Sequence, residues 1–467
     1  MILDQTWQIL KENTQYALGQ VEAQVVVAEA FFTLKNLTQI QIVNSEITGN
    51  NQGIDGGIGF RTIMKNNQMG FASTNNFLKK DEVLKTVKNA IDLAYISTPN
   101  EYVCFPESSK PKVIKGLFDE KIASISIDET LNIAKSGLDS TEAVDERVKL
   151  KRGELYLEYG WKGVQNTLGI DLEVKSSHGI LYLGAIAQEN NQVTGLSTEI
   201  RRTTSLDFDA QVQGKTLAKK ALKLLNPRTV TNFTGTVVFS PHVVADHIFS
   251  VITDALKGDN VIVKSSAWED RIGSTVAVNT LTISENPLLE ANFSSQPFDD
   301  EGVATANTIL IANGELKQFL HHSSSAKAFN DQTTGNASRY GTGWDITRLI
   351  IGSGYKTQPI VYPHNLIINP GQYPIDDLIA EVDHGLFIDS IAGFPQPGSG
   401  LVSAQISSGF IIENGELKQA VKDTMVVGNA YEWLHQISGI SKETEQFNFC
   451  NVPALRIEGV KIVGKER

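Results

Sequence analysis

Four places in the 467-residue sequence hold side chains of types that do chemistry. His242 and His247 stand five residues apart at the start of a stretch that reads as a helix. Two metal ligands on one helical face need a spacing of four. A spacing of five sets the side chains about 140° apart unless the helix is widened. Val243 follows His242, where a zinc peptidase would carry its general-base Glu. The pair therefore reads as surface or boundary histidines. His321 and His322 are adjacent, would point to opposite faces of a strand, and do not easily share a metal. Asp299-Asp300-Glu301, just before Gly302, could support acid–base chemistry or bind a cation, but such a cluster is more often a solvated turn. Residues 393–400 are Gly-rich and could cradle an anion, yet they lack the Lys of a P-loop and open no helix. There is no G-x-S-x-G elbow. Neither Cys104 nor Cys450 has a C-x-x-C partner, which argues against structural zinc. Residue types and spacing alone assign no residue to catalysis, to a cofactor or to a metal.

The elements that must position such groups are α+β. Residues 3–19 read as a helix, and residues 23–34 and 37–48 as two strands. Gly53, Gly56, Gly57 and Gly59 crowd what reads as a turn. Strands over 58–64 and 69–73 flank Asn66-Asn67, a hairpin signal. Val83, Leu84, Val87, Ile91 and Ala94 share one face of a helix over 81–94. Residues 97–116 are polar and contain Pro. A helix over 128–134 and strands over 154–158, 170–176 and 180–187 follow. A helix over 215–225 stops at Asn226-Pro227, because the residue before Pro disfavours the helical region. The expected division is an N-terminal α+β domain, 1–225, and a β-rich C-terminal domain, 228–467. The second opens with a strand over 236–239 and a helix over 241–256, with Pro241 in its first turn and Lys257-Gly258 at its end. Asn313-Gly-Glu-Leu-Lys-Gln318 recurs identically at 414–419, each time after apolar β residues. Asn-Gly in that setting predicts two hairpin turns and suggests two copies of one unit.

Composition narrows the function classes. Apolar residues make up 41% and charged residues 20%, the balance of a folded chain. The 41 Lys and Arg against 53 Asp and Glu leave a net charge of -12, which repels phosphate backbones and argues against nucleic acid as a partner. No apolar run is long enough for a membrane helix, and residues 1–20 lack the apolar core of a secretory signal. Two cysteines cannot form a disulfide framework, so a cytoplasmic setting with reduced thiols is expected.

Several ordered motifs, taken together, resemble the TldD/PmbA family, once called modulators of DNA gyrase and regarded as peptidases. They are Gly57-Ile-Gly-Phe-Arg61, Gly70-Phe-Ala-Ser-Thr-Asn75, Asn166-Thr-Leu-Gly169, Pro297-Phe-Asp-Asp-Glu-Gly302, Thr334-Gly-Asn-Ala337, Ser407-Ser-Gly-Phe410 with Glu413-Asn-Gly-Glu416, and Pro453-Ala-Leu-Arg-Ile457 with Gly464. The resemblance spans nearly the whole chain. In the TldD-like branch a helix carries an H-E-x-x-x-H metal motif, with a third ligand near the C-terminus. The PmbA-like branch, also called TldE-like, lacks it. Aligned on Leu256-Lys-Gly-Asp259, the two histidine positions fall on Phe249 and Asp254 and the glutamate on Ser250. His242 and His247 have the five-residue interval but sit seven positions early. Lys264-Ser-Ser266 also resembles the PmbA-like branch. Cys450 lies near the third-ligand region and is expected to be a packed thiol.

The resemblance implies a metal-free subunit of a TldD/TldE-type zinc metalloprotease that degrades or processes peptides. This chain would complete the substrate cleft, and the zinc would sit in a TldD-like partner. The partner calls for a heterodimer, or a homodimer of this chain, made mainly through the second domain. Two other functions stay open. One is a metallopeptidase in its own right, using His242, His247 and Asp299–Glu301. The other is a non-enzymatic regulatory protein.

Overall fold

The computed structural model describes residues 2–107, 110–339, 354–447 and 449–465. It is an α+β chain with a β-rich second half. The first half builds a seven-stranded antiparallel sheet. Strand Val27–Val43 lies at its centre, paired with Glu46–Ile63 on one side and Val148–Asn166 on the other. Met69–Thr74 and Asp171–Glu189 flank these in turn.

Side chains along a strand alternate between faces. Ala28, Ala30, Phe32 and Leu34 pack beneath helices Ile2–Val21 and Lys80–Ile96. Ile40 and Ile42 continue that face beneath helices Ile127–Glu142 and Ala210–Lys223. Each large apolar side chain so buried contributes about 1.5–3 kcal/mol relative to exposure. The helices thus cover one face only. The other face, marked by Glu29, Phe31, Thr33 and Lys35, is turned toward the second half, where Phe31 packs with Phe298 and Tyr355.

The second half builds an eleven-stranded mixed sheet. Phe233–Phe239 pairs in parallel with His384–Ala392 and antiparallel with Cys450–Val463. With Leu401–Glu413 and Met425–Asn429 between them, these strands close into a ring of hydrogen-bonded neighbours. The chain from Pro241 to Leu256 packs Val244, Ile248, Val251 and Ile252 into the same core as Phe239, Leu386, Val426 and Leu455. Among the described residues no strand ladder joins the two sheets.

Several local readings need correction. The strands expected over 23–34 and 37–48 are one strand, Val27–Val43, and the chain reverses only at Asn44 and Ser45, whose φ values are 48° and 67°. The crowded glycines are not a turn. Gly53, Gly56, Gly57 and Gly59 lie inside Glu46–Ile63. A Cβ on Gly57 would stand 2.3 Å from the Tyr355 ring, and one on Gly59 2.2 Å from the Tyr355 carbonyl oxygen. Close approach, not chain reversal, is what these two glycines serve. The short strands expected over 154–187 are two long ones, Val148–Asn166 and Asp171–Glu189. The helix expected over 128–134 runs from Ile127 to Glu142 behind a Ser126/Glu129 capping box. The helix expected from 215 starts at Ala210, where the Asp209 side chain caps it.

The helix from Pro241 is not regular. An α-helical turn, Pro241–Val243, leads into a π-helical segment, Val244–Phe249, and then into α-helix Ser250–Leu256. Both Asn-Gly turns are hairpin turns, as the sequence implies. Asn313 and Gly314 have φ of 49° and 78°, and Asn414 and Gly415 of 51° and 76°. Two left-handed central residues make a two-residue hairpin turn whose twist matches that of the strands.

Candidate functional site

Strand register builds a polar patch on the face away from the helices. Lys35 stands beside Gly160 and Gly160 beside Ser176. One pair further along, Leu37 stands beside Glu158 and Glu158 beside His178. In the other direction Thr33, Lys162 and Val174 form the third row. Second-half residues, Phe293 and Tyr362 among them, cover this patch and leave a cavity of about 140 Å³.

Glu158 is only 3% exposed. Its Oε1 accepts from Lys35 Nζ at 2.8 Å and lies 3.3 Å from His178 Nδ1, and its Oε2 accepts from the Tyr156 hydroxyl at 3.1 Å. Burial alone would raise this carboxyl. The Lys35 ammonium and the His178 imidazole outweigh burial and hold it below the usual carboxylate range. Burial and the Glu158 charge push the Tyr156 phenol up. With Nδ1 turned to a carboxylate, the His178 ring is oriented, and Nε2 is its second polar atom. The Phe293 ring meets it edge-on at 5.0 Å between centroids. A carboxylate-oriented imidazole in a walled cavity can exchange a proton or a hydrogen bond with whatever the cavity holds.

The acidic cluster is where the sequence misleads most. Asp299, Asp300 and Glu301 do not form a solvated turn, since each is at most 1% exposed. They belong to an ion network that joins the two halves. Arg61 donates from Nε and Nη2 to Glu29 at 3.0 and 2.6 Å, and from Nη2 to Glu301 at 3.0 Å. Arg339 also donates to Glu29. Lys162 donates to Asp300 Oδ1 at 2.9 Å, to the Phe298 carbonyl at 3.2 Å and to Gln296. Asp299 accepts from the backbone N–H groups of Glu301, Val303 and Ala337. Burial raises the Glu301 carboxyl, but Arg61 and His322 outweigh it and hold it well below its ordinary value. Burial and the neighbouring Glu301 charge push Asp299 up. Every acid here is engaged with protein, so the cluster reads as a joint and not as a vacant acid–base set.

The histidines go to separate partners. His242 Nε2 lies 3.0 Å from Asp246, and its ring stacks on Phe447. His247 Nε2 lies 3.0 Å from the Gly393 carbonyl oxygen. His321 Nδ1 lies 3.3 Å from the Ser325 hydroxyl, while His322 Nδ1 accepts from the Ser325 backbone and its Nε2 lies 3.3 Å from Asp259. Residues 393–400 open no helix. Among the described residues, no group of three or more His, Cys, Asp or Glu side chains is arranged to hold a metal ion.

The three positions matched to the metal motif do not fit a metal. Phe249 is buried and offers no lone pair. The Ser250 hydroxyl donates to the Asp246 carbonyl at 2.7 Å. Asp254 is paired with Lys257 at 3.0 Å. Cys450 is buried, and burial pushes its thiol up, away from the thiolate that ligates zinc.

Sequence reasoning missed Lys35, Glu158 and His178. They come from three strands, and each stands alone in its own segment. One signal was available. In Leu155-Tyr-Leu-Glu158 the leucines alternate with two polar side chains, which marks a second face with its own work.

Comparison with known proteins follows the fold closely. Family models described as PmbA/TldA metallopeptidase domain 1, central domain and C-terminal domain match residues 28–94, 120–225 and 233–464. A metalloprotease of Methanocaldococcus jannaschii is 25% identical over 422 residues, 87% of each chain. Metalloprotease PmbA of Escherichia coli O157:H7 is 24% identical, over 98% of this chain and 96% of its own. The crystal structure of TldE from Thermococcus kodakarensis superposes with a TM-score of 0.86 at 21% identity, over 97% of this chain and 100% of that one.

Proposed function

The chain belongs to the PmbA/TldD family of metallopeptidases, and from that premise we propose that it is the metal-free, TldE-like subunit of a TldD/TldE-type protease. One observation carries the reading. At the motif positions stand a buried phenylalanine, a serine whose hydroxyl is bonded to its own helix, and an aspartate tied to Lys257. A zinc peptidase site needs three ligands converging on one point and a base to take a proton from the bound water. Phe249 cannot ligate, and Ser250 is too weak a base. The chain's part is to complete the cleft that holds an extended peptide, with the catalytic zinc in the partner.

The proposal includes the division into units 1–225 and 228–467, with the second making most of the subunit interface. It also includes a cytoplasmic setting, which the unpaired Cys104 and Cys450 suit. Among the described residues no helix is long and apolar enough to cross a membrane.

The test is elemental analysis of the untagged chain, followed by co-expression with a TldD-like protein and a peptidase assay. The expected result is less than about a tenth of an equivalent of zinc and no activity for the chain alone, because the three-ligand requirement is unmet. The co-purified pair cleaves peptides. Stoichiometric zinc in the chain alone, lost in His247→Ala, would overturn the assignment. So would sedimentation of both proteins as monomers when mixed.

A further inference from the structure

The first-half sheet has an unguarded edge. Strand Glu46–Ile63 pairs with Val27–Val43 along one side. On its other side Met69–Thr74 covers only Ile58–Ile63. Among the described residues no strand pairs with that side over 46–55, and no backbone hydrogen bond from another element reaches it there. Residues 46–54 are exposed, save a half-buried Gly49. Successive side chains point to opposite faces, so both faces of this stretch are bare. A free edge offers N–H and C=O groups to any strand that meets it, and proteins protect such edges with Lys, Pro, charge or a covering element. The strand at the opposite edge of the sheet, Ser197–Thr203, follows that rule with Glu199, Arg201 and Arg202. Thr48–Ile54 holds no charge and no Pro.

This segment is also symmetrical in side-chain type. Reading outward from Asn51, Asn50 and Gln52 are both amides, Gly49 and Gly53 are both glycines, and Thr48 and Ile54 are both β-branched. An antiparallel pairing about a twofold axis sets residue i of one copy against residue j of the other, and j against i. With the axis at Asn51, amide meets amide, and each can donate and accept at once. Glycine meets glycine. Thr48 meets Ile54, whose side chain is 59% exposed, and β-branched neighbours support a ladder. Asn51 donates to Gln39 of its own sheet at 3.4 Å and keeps a second N–H and its oxygen for the axis. The two acids that flank the run do not oppose one another, since Asp55 faces Ile47 and Glu46 faces Gly56. With the axis moved to Asn50, Ile54 would instead fall against Glu46 and Thr48 against Gln52.

From this free edge and its self-matching sequence we propose that Thr48–Ile54 pairs antiparallel with the same segment of a second copy of this chain, joining two first-half sheets into one. The contact lies apart from the second-half interface proposed above and does not rest on that reading.

The test is sedimentation equilibrium of the full chain alone. A monomer–dimer equilibrium is expected with a Kd on the order of 10–100 µM, because the contact is small and mostly polar. Each copy carries a net charge of -12, so association tightens as salt screens the repulsion. Asn51→Lys and Asn51→Asp each set like charges on the axis and weaken dimerisation at least about tenfold. Mixing the two variants restores it, the facing charges then being opposite. Asn51→Cys cross-links to its counterpart on oxidation, since opposed Cα atoms of paired strands lie about 4.5–5.5 Å apart, within disulfide reach. Asn44→Cys, at the hairpin tip, does not. Circular dichroism confirms that each variant is folded. A chain that stays monomeric, a dimer whose Kd is unchanged by Asn51→Lys, no rescue on mixing, or equal cross-linking through Asn44→Cys would each overturn the proposal. None of these readouts involves zinc, a TldD-like partner or peptidase activity. A failed edge contact therefore leaves the subunit assignment standing, and a failed assignment leaves the edge contact standing.

Discussion

Glu29→Gln is the sharpest probe of what binds the two halves together. Glu29 is fully buried and holds two guanidinium groups, Arg61 from its own sheet and Arg339 from the second half. Both arginines are themselves at most 3% exposed. Glutamine has nearly the same shape but carries no charge, and its amide would turn N–H groups toward a guanidinium. Two buried cations would then share Glu301 and Asp300 with Lys162. Removing one partner of a buried ion pair destabilises by about 3–5 kcal/mol, because the remaining charge is left uncompensated. That is a large part of the roughly 5–15 kcal/mol that holds a typical protein folded. Arg201→Ala is the control, since it breaks an ion pair with Asp207 whose side chains are 54% and 48% exposed. An exposed pair contributes about 0–1 kcal/mol. Urea unfolding followed by both far-UV circular dichroism and tryptophan fluorescence measures the two losses. A Glu29→Gln loss below about 1 kcal/mol, level with the control, would refute the view that this network is a joint.

Two further outcomes follow from burial. Glu285 is 1% exposed, and burial pushes its carboxyl up to about 7 against the hydrogen bonds from the His364 and Asn365 backbones and Asn336. The folded chain holds this proton more tightly than the unfolded one, so stability falls as pH rises from about 4.5 through 7. Glu285→Gln should flatten that limb and stabilise by about 1–3 kcal/mol at pH 8, as read from denaturation midpoints across pH, and an unchanged profile would count against it. Gly59→Ala places a Cβ 2.2 Å from the Tyr355 carbonyl oxygen. A loss of about 1–3 kcal/mol or more is expected in thermal unfolding, and a neutral result would mean that the contact yields freely.

Local conformation was the legible part of this sequence. Asn313-Gly314 and Asn414-Gly415 carry their turn geometry in two residues, and Asn226-Pro227 ends a helix by sterics alone. Strand lengths were less legible, because Lys35-Asn36 looks like a break and the structure simply runs a strand through it. Glycines gave the wrong sign. Gly57 and Gly59 resemble turn residues until Tyr355, nearly 300 residues later in sequence, is seen to press on them. The acidic run at 299–301 failed for the same reason, since its partners Arg61 and Lys162 come from the other sheet. The pairing of Glu158 with His178 could be found only through register, which no single segment contains. The helix after Pro241 was legible as a helix, but not its widened segment, Val244–Phe249, because a hydrogen-bond shift leaves no mark in residue type.

Strand Val27–Val43 serves the helical core with one parity of its residues and the cavity and ion network with the other. Its tolerance to insertions and deletions should therefore be uneven along its length. Loss of one residue between Glu29 and Phe32, with Glu29 held in place, would send Phe32 toward the cavity and Lys35 under the helices, so packing and site would fail together. At the far end the hairpin tip has an exposed Asn44 and a half-buried Ser45 and lies beyond the cavity and the ion network. There a change of one residue on each strand keeps the parity of both faces and gives up only the tip's own hydrogen bonds to Glu142, Leu150 and Lys151. Length changes among chains that share this sheet should accumulate at that tip, in matched steps on its two strands, and be absent from residues 29–35.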